Sequence, residues 1–108
     1  MNALNGLSVT KYATAHAYGT NPSITQVKLN LNVSSGSDPF HITITSPEGT
    51  VYTFAPSTTS GNYTIHYFDG EDPDGRWYIT LTNDGITYNP LHMYPTTTVT
   101  PSLTITYN

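Results

Sequence analysis

The chain has no cysteine, so it forms no disulfide, offers no thiolate to a metal and carries no thiol nucleophile. That absence leaves the redox compartment open. Lysine and arginine together number 3, and charged residues make up 9% of the chain, against about 25% in an ordinary soluble domain. So few cations cannot neutralise a phosphate backbone, which argues against nucleic acid as a partner, and the formal net charge of −4 disfavours anionic membranes too. Apolar runs are only a few residues long, too short for a spanning helix, and the start MNALNGLSVT lacks the basic and apolar regions of a secretory leader. Glu, Lys, Arg and Gln, all good helix formers, are nearly absent.

What is present favours strands. Twenty threonines and 9 tyrosines suit a pleated, half-buried surface, and hydroxyl and amide groups must do the solvating that charges do elsewhere. The composition implies an all-β protein. At 108 residues the expectation is one domain, 1–108, which buries roughly two thirds of its unfolded surface. Few charges, many Thr, Tyr, Asn and Gly and no Cys resemble the make-up of secreted bacterial modules. An extracellular or cell-surface location is expected on that ground.

The chain is organised around Phe68–Asp84, FDGEDPDGRWYITLTND, where an acidic turn runs directly into the strand carrying the only tryptophan. Trp77, Ile79 and Leu81 alternate with Arg76, Tyr78, Thr80 and Thr82 at a period of two, so the indole faces the interior of a half-buried strand. Residues 1–23 are weakly patterned, with one short strand expected around Leu7–Tyr12. From Ile24 onward Val27, Leu29, Leu31 and Val33 share a face, and Phe40, Ile42 and Ile44 define the next strand. Ser46-Pro47-Glu48-Gly49 reads as a tight turn into Val51–Phe54. Asn62–Phe68 alternates with aromatic groups on both faces. Ile86–Pro95 is irregular, and Val99, Leu103, Ile105 and Tyr107 close the chain as a strand that Pro101 restricts to an edge or bulge. Six to eight strands at this spacing predict an antiparallel β-sandwich of jelly-roll type.

Three of these stretches resemble motifs of the P domain (the proprotein-convertase or homo-B domain), which follows the catalytic domain of kexin-like and bacterial subtilisin-like proteases. Asp38-Pro39-Phe40-His41-Ile42-Thr43-Ile44-Thr45-Ser46-Pro47-Glu48-Gly49-Thr50 is similar to the family's strand ending in Ser-Pro-x-Gly-Thr. Gly75-Arg76-Trp77-Tyr78-Ile79-Thr80-Leu81-Thr82-Asn83-Asp84 resembles its Gly-x-Trp strand, and Ser102-Leu103-Thr104-Ile105 its closing strand. The resemblance covers roughly residues 24–108. It implies a noncatalytic accessory domain, often calcium-binding, that stabilises or positions an adjacent catalytic domain or another protein.

Among candidate sites, Asp69, Glu71, Asp72 and Asp74 place four carboxylates in one turn, the oxygen-rich supply that Ca²⁺ requires. The other reading of the same residues is a solvated hairpin with Asp72-Pro73-Asp74-Gly75 as turn chemistry. His16, His41, His66 and His92 are scattered without metal-ligand spacing, and no Gly-x-Ser-x-Gly turn presents a nucleophile; no enzymatic activity is expected. Two other classes compete with the accessory-domain reading. Tyr78, Tyr88 and Tyr94, with further tyrosines and Trp77, could stack on sugar rings as in carbohydrate-binding modules. Exposed strand edges and Thr-rich faces could instead pair between copies, making a self-associating subunit of a fibre, surface layer or phage particle.

Overall fold

Alternating apolar and polar residues build eight strands: β1 (Asn2–Leu4), β2 (Ser8–Ala15), β3 (Ile24–Val33), β4 (Phe40–Thr45), β5 (Val51–Phe54), β6 (Gly61–Ile65), β7 (Gly75–Asn83) and β8 (Thr96–Tyr107). They come from a computed structural model that describes residues 1–4, 8–34, 39–54, 60–84 and 96–108, and none of these is helical. One four-stranded sheet has the order β1-β8-β3-β6 and the other β2-β7-β4-β5. The pairs β1·β8, β2·β7, β3·β6 and β4·β5 are all antiparallel, as if one long hairpin were wrapped into a barrel-like sandwich. That nesting is the jelly roll.

The inner faces follow the sequence pattern. Val27, Leu29 and Leu31 of β3, Phe40, Ile42 and Ile44 of β4, and Trp77 and Leu81 of β7 form one buried cluster with Ile65 and Val99. Each such side chain contributes roughly 1.5–3 kcal/mol on leaving water. Ile24 joins them although it lies three residues before Val27 rather than two. A register shift between Ile24 and Gln26 on the β8 side restores the phase, because the extra residue of a bulge turns the following side chains over.

Threonine fills the outer face of the second sheet. Thr10 pairs with Thr80, Thr80 with Thr43 and Thr43 with Thr53, giving a row of hydroxyls across all four strands. Thr10 and Thr80 hydroxyls bond at 2.8 Å, as do those of Ser8 and Thr82. On the other sheet Asn30 Nδ2 donates to Asn62 Oδ1. Uncharged hydrogen-bonding groups thus take the place of the missing lysines and glutamates.

Three elements differ from the sequence expectation. The chain begins with a strand at Asn2–Leu4, and β2 runs on to Ala15, beyond the single short strand expected there. The expected strand Asn62–Phe68 ends at Ile65, where Asp69 N–H donates to His66 O at 3.2 Å and Glu71 N–H to Phe68 O at 3.1 Å. Those turns swing Phe68 into the core, where it is 0% exposed, and leave Tyr67 59% exposed. Strand alternation cannot continue through consecutive turns.

Candidate functional site

The acidic turn is stitched into the fold by its own carboxylates. Asp72 Oδ1 accepts the Asp74 N–H at 2.9 Å, an Asx turn, and Asp74 Oδ1 accepts the Ala17 N–H at 2.9 Å. Glu71 Oε1 accepts the Ser46 hydroxyl at 2.7 Å. Asp69 Oδ2 lies 2.9 Å from His66 Nδ1, which is also 3.1 Å from Thr25 O; both neighbours are acceptors, so that nitrogen carries the proton. The four carboxylates therefore face four separate partners. Among the described residues no group of three or more His, Cys, Asp or Glu is placed to hold a metal ion. Asp38, a further oxygen donor by sequence, lies outside the described residues.

The backbone of the same turn does structural work. Gly70 N–H donates to Ile24 O and Ile24 N–H to Glu71 O, both at 2.9 Å, which pins the turn to the β3 bulge. Ser46 is the hub on the other side: 2% exposed, it donates to Glu71 and accepts the Thr50 N–H at 3.2 Å. Ser46→Ala strands both partners, and an equilibrium urea titration is expected to show a loss of about 1–3 kcal/mol. A loss under 0.5 kcal/mol would mean that the hydroxyl does not join the two turns.

Of the tyrosines proposed for sugar stacking, Tyr88 and Tyr94 lie outside the described residues. Tyr78 stands on the outer face of β7 with its ring 6.1 Å from that of Tyr12, the planes tilted by 52°. Arg76 covers the Tyr12 ring at 4.4 Å, and its hydrogen bond to Tyr78 pushes its already high pKa up further. Sequence patterning missed Tyr12, which is 63% exposed, because β2 lies at a sheet edge and shows no apolar face. Two tilted rings, one already capped by a guanidinium, make no common flat platform.

A groove of about 410 Å³ lies at the lateral seam between the sheets. Its floor and walls are Ala13 and Ala15 of β2, Trp77 and Ile79 of β7, and Leu103 and Ile105 of β8, with Pro101 and Lys11 at one end. Both bordering strands offer edges. Among the described residues β2 pairs only with β7, and β1 covers β8 only over Thr96–Thr98, with Met1 bonded to Val99 beyond. Past Val99 no described strand flanks β8 on that side. Pro101, expected at an edge, sits on this open stretch, where its lack of an N–H costs no ladder bond.

Compared with protein-family models and with curated proteins, the chain matches none. The likeness to P domains therefore rests on sequence motifs alone. A side chain at Gly75 would touch Pro47, and Glu71 meets Ser46.

Proposed function

We propose that this jelly roll is a noncatalytic interaction module that holds another polypeptide in its lateral seam. The observation that carries the reading is the apolar groove bounded by two strand edges that no described strand flanks, β2 and the stretch of β8 beyond Val99. A groove of this size and lining fits side chains of a bound segment, and open main-chain edges favour protein over sugar or small molecule. An accessory domain that positions an adjacent catalytic domain, as the P-domain resemblance implies, is a role of this kind. The acidic turn serves in this reading as a structural clamp, and calcium is not required by it.

Selection from a displayed library of random ten-residue peptides tests the reading. Binders are expected, and Ala13→Trp, which fills the groove from an exposed edge strand, is expected to weaken them by more than about tenfold. Peptides that bind the Ala13→Trp variant as well as the parent, or glycan binding lost on Tyr12→Ala with no peptide selected, would replace this reading with another.

A further inference from the structure

We infer that the outer face of the sheet β2-β7-β4-β5 binds a second copy of this chain, the two faces stacking about a twofold axis that runs along the strands between β7 and β4. The inference goes beyond the polypeptide-binding role of the seam and does not depend on it.

Register sets the pattern on this face. Tyr12, Tyr18, Val51, Tyr67 and Tyr78 are the large hydrophobic side chains exposed among the described residues. Three of these stand in one row, because Tyr12 pairs with Tyr78, Tyr78 with Thr45 and Thr45 with Val51. Scattered single residues of this kind are ordinary on a surface, whereas a row that crosses all four strands marks an interaction site. Arg76 lies over the Tyr12 ring and bonds to Tyr78, so the row combines Tyr with Arg, the residue types in which interface energy concentrates. Beside it run the rows Thr10-Thr80-Thr43-Thr53 and Ser8-Thr82-His41. They contain no Lys, Arg, Asp or Glu, the depletion expected at the centre of an interface. The Thr10–Thr80 and Ser8–Thr82 hydroxyls already bond each other at 2.8 Å, which lowers the cost of covering them.

The rows make the face complementary to itself. An axis along the strands exchanges β7 with β4 and β2 with β5 and keeps each row at its own level. Tyr12 then meets the partner's Val51, Tyr78 meets the partner's Thr45, and Thr80 meets the partner's Thr43, an isologous contact of apolar with apolar and hydroxyl with hydroxyl. An axis across the strands would instead lay the apolar row on Ser8, Thr82 and His41. Charge follows the same symmetry. Arg76 stands one step beyond the apolar row on β7, and Glu48, exposed, lies in the turn that follows Thr45 on β4, so the axis brings Arg76 to the partner's Glu48. Among the described residues the ion pairs are His41–Asp84 and His66–Asp69, which leaves this cation and this carboxylate each without a counter-charge. Asp72 and Asp74, at the same end, hold N–H groups of their own chain. A second copy supplies both missing charges at once.

Size sets the strength. Four strands about 4.8 Å apart and four rows about 6.7 Å apart give each copy roughly 500 Å² of face. About 1,000 Å² is covered in all, near the lower limit for a specific interface, so the dimer is weak, with Kd on the order of 10–100 µM.

Sedimentation equilibrium of the intact chain from about 1 µM to about 1 mM tests the inference, and a monomer–dimer equilibrium in that range is expected. Val51→Lys, on an exposed edge strand, brings an ammonium to the partner's Arg76 and is expected to weaken the dimer more than about tenfold. Ala13→Trp in the seam is expected to leave it unchanged. Arg76→Glu and Glu48→Arg should each weaken self-association about tenfold, while an equimolar mixture of the two variants should associate as the parent does, since both contacts of the mixed pair again join opposite charges. Recovery on mixing is a signature of a second copy in this register. A parent that stays monomeric gives the face to another partner or to none and overturns the inference. A dimer that Val51→Lys leaves intact, or a mixture no tighter than its components, overturns it too. Peptide selection reads the seam separately, so either proposal can fail while the other stands.

Discussion

Trp77→Ala is expected to lower the unfolding free energy by about 3–5 kcal/mol, the range for deleting a buried aromatic side chain. Trp77 is 3% exposed and lies at the centre of the cluster that joins both sheets. Its ring meets Phe68 edge-on at 5.3 Å with planes at 78°, a geometry worth about 0.5–1.5 kcal/mol beyond area alone. Its indole N–H donates to Pro73 O at 2.9 Å, so the side chain also anchors the acidic turn. Since a small domain is stable by only about 5–15 kcal/mol, guanidinium titration should find this variant barely folded or unfolded at 25 °C. Trp77→Phe keeps much of the ring packing but leaves Pro73 O without its donor, and about 1–3 kcal/mol of loss is expected. Near-equal stability of Trp77→Ala and the parent would remove the tryptophan from the core.

That residue was the most legible feature of the sequence, and the reason is physical. A central strand with one face buried must alternate, so β3, β4 and β7 declared themselves through Val27-Leu29-Leu31, Phe40-Ile42-Ile44 and Trp77-Leu81. The turn at Ser46–Gly49 was legible for a similar reason: Gly49 has φ of +88° and its N–H donates to Ser46 O at 2.9 Å, a geometry that selects glycine. Edge strands carry less signal. Most of β2 is exposed, and neither it nor the short β1 shows an apolar stripe, so the N-terminal half of the seam was invisible. The bulge at Ile24–Gln26 and the turn that redirects Phe68 are changes of phase, and periodicity detects only constant phase. The acidic turn displays the limit on function: spacing showed that four carboxylates were near one another, whereas their partners Ser46, His66 and Ala17 come from other parts of the fold or from backbone groups that carry no sequence mark. The groove itself required the strand order, which no local pattern encodes.

Gly75→Ala is expected to cost about 2–4 kcal/mol, from two effects that a paired variant separates. Gly75 has φ of +129°, a conformation L side chains rarely adopt, and a Cβ there would stand 2.8 Å from Pro47 Cβ and 3.2 Å from Pro47 Cγ. The backbone term alone is measured at Gly49, with φ of +88° and nothing within 4 Å of an added Cβ; Gly49→Ala should cost only about 1–2 kcal/mol. The excess at Gly75 belongs to the contact with Pro47. Placing Gly75→Ala in a Pro47→Gly background removes the obstructing Cβ, so the double-mutant cycle should return about 1–2 kcal/mol of coupling between the two positions. Equal costs at Gly75 and Gly49, with no coupling, would mean that the β4–β5 turn and the start of β7 do not press together. If the coupling is found, the close approach explains why a proline in the turn and a glycine before the tryptophan occur together in this chain: the hairpin can seat against the acidic turn, with Ser46 reaching Glu71, only where β7 starts without a side chain.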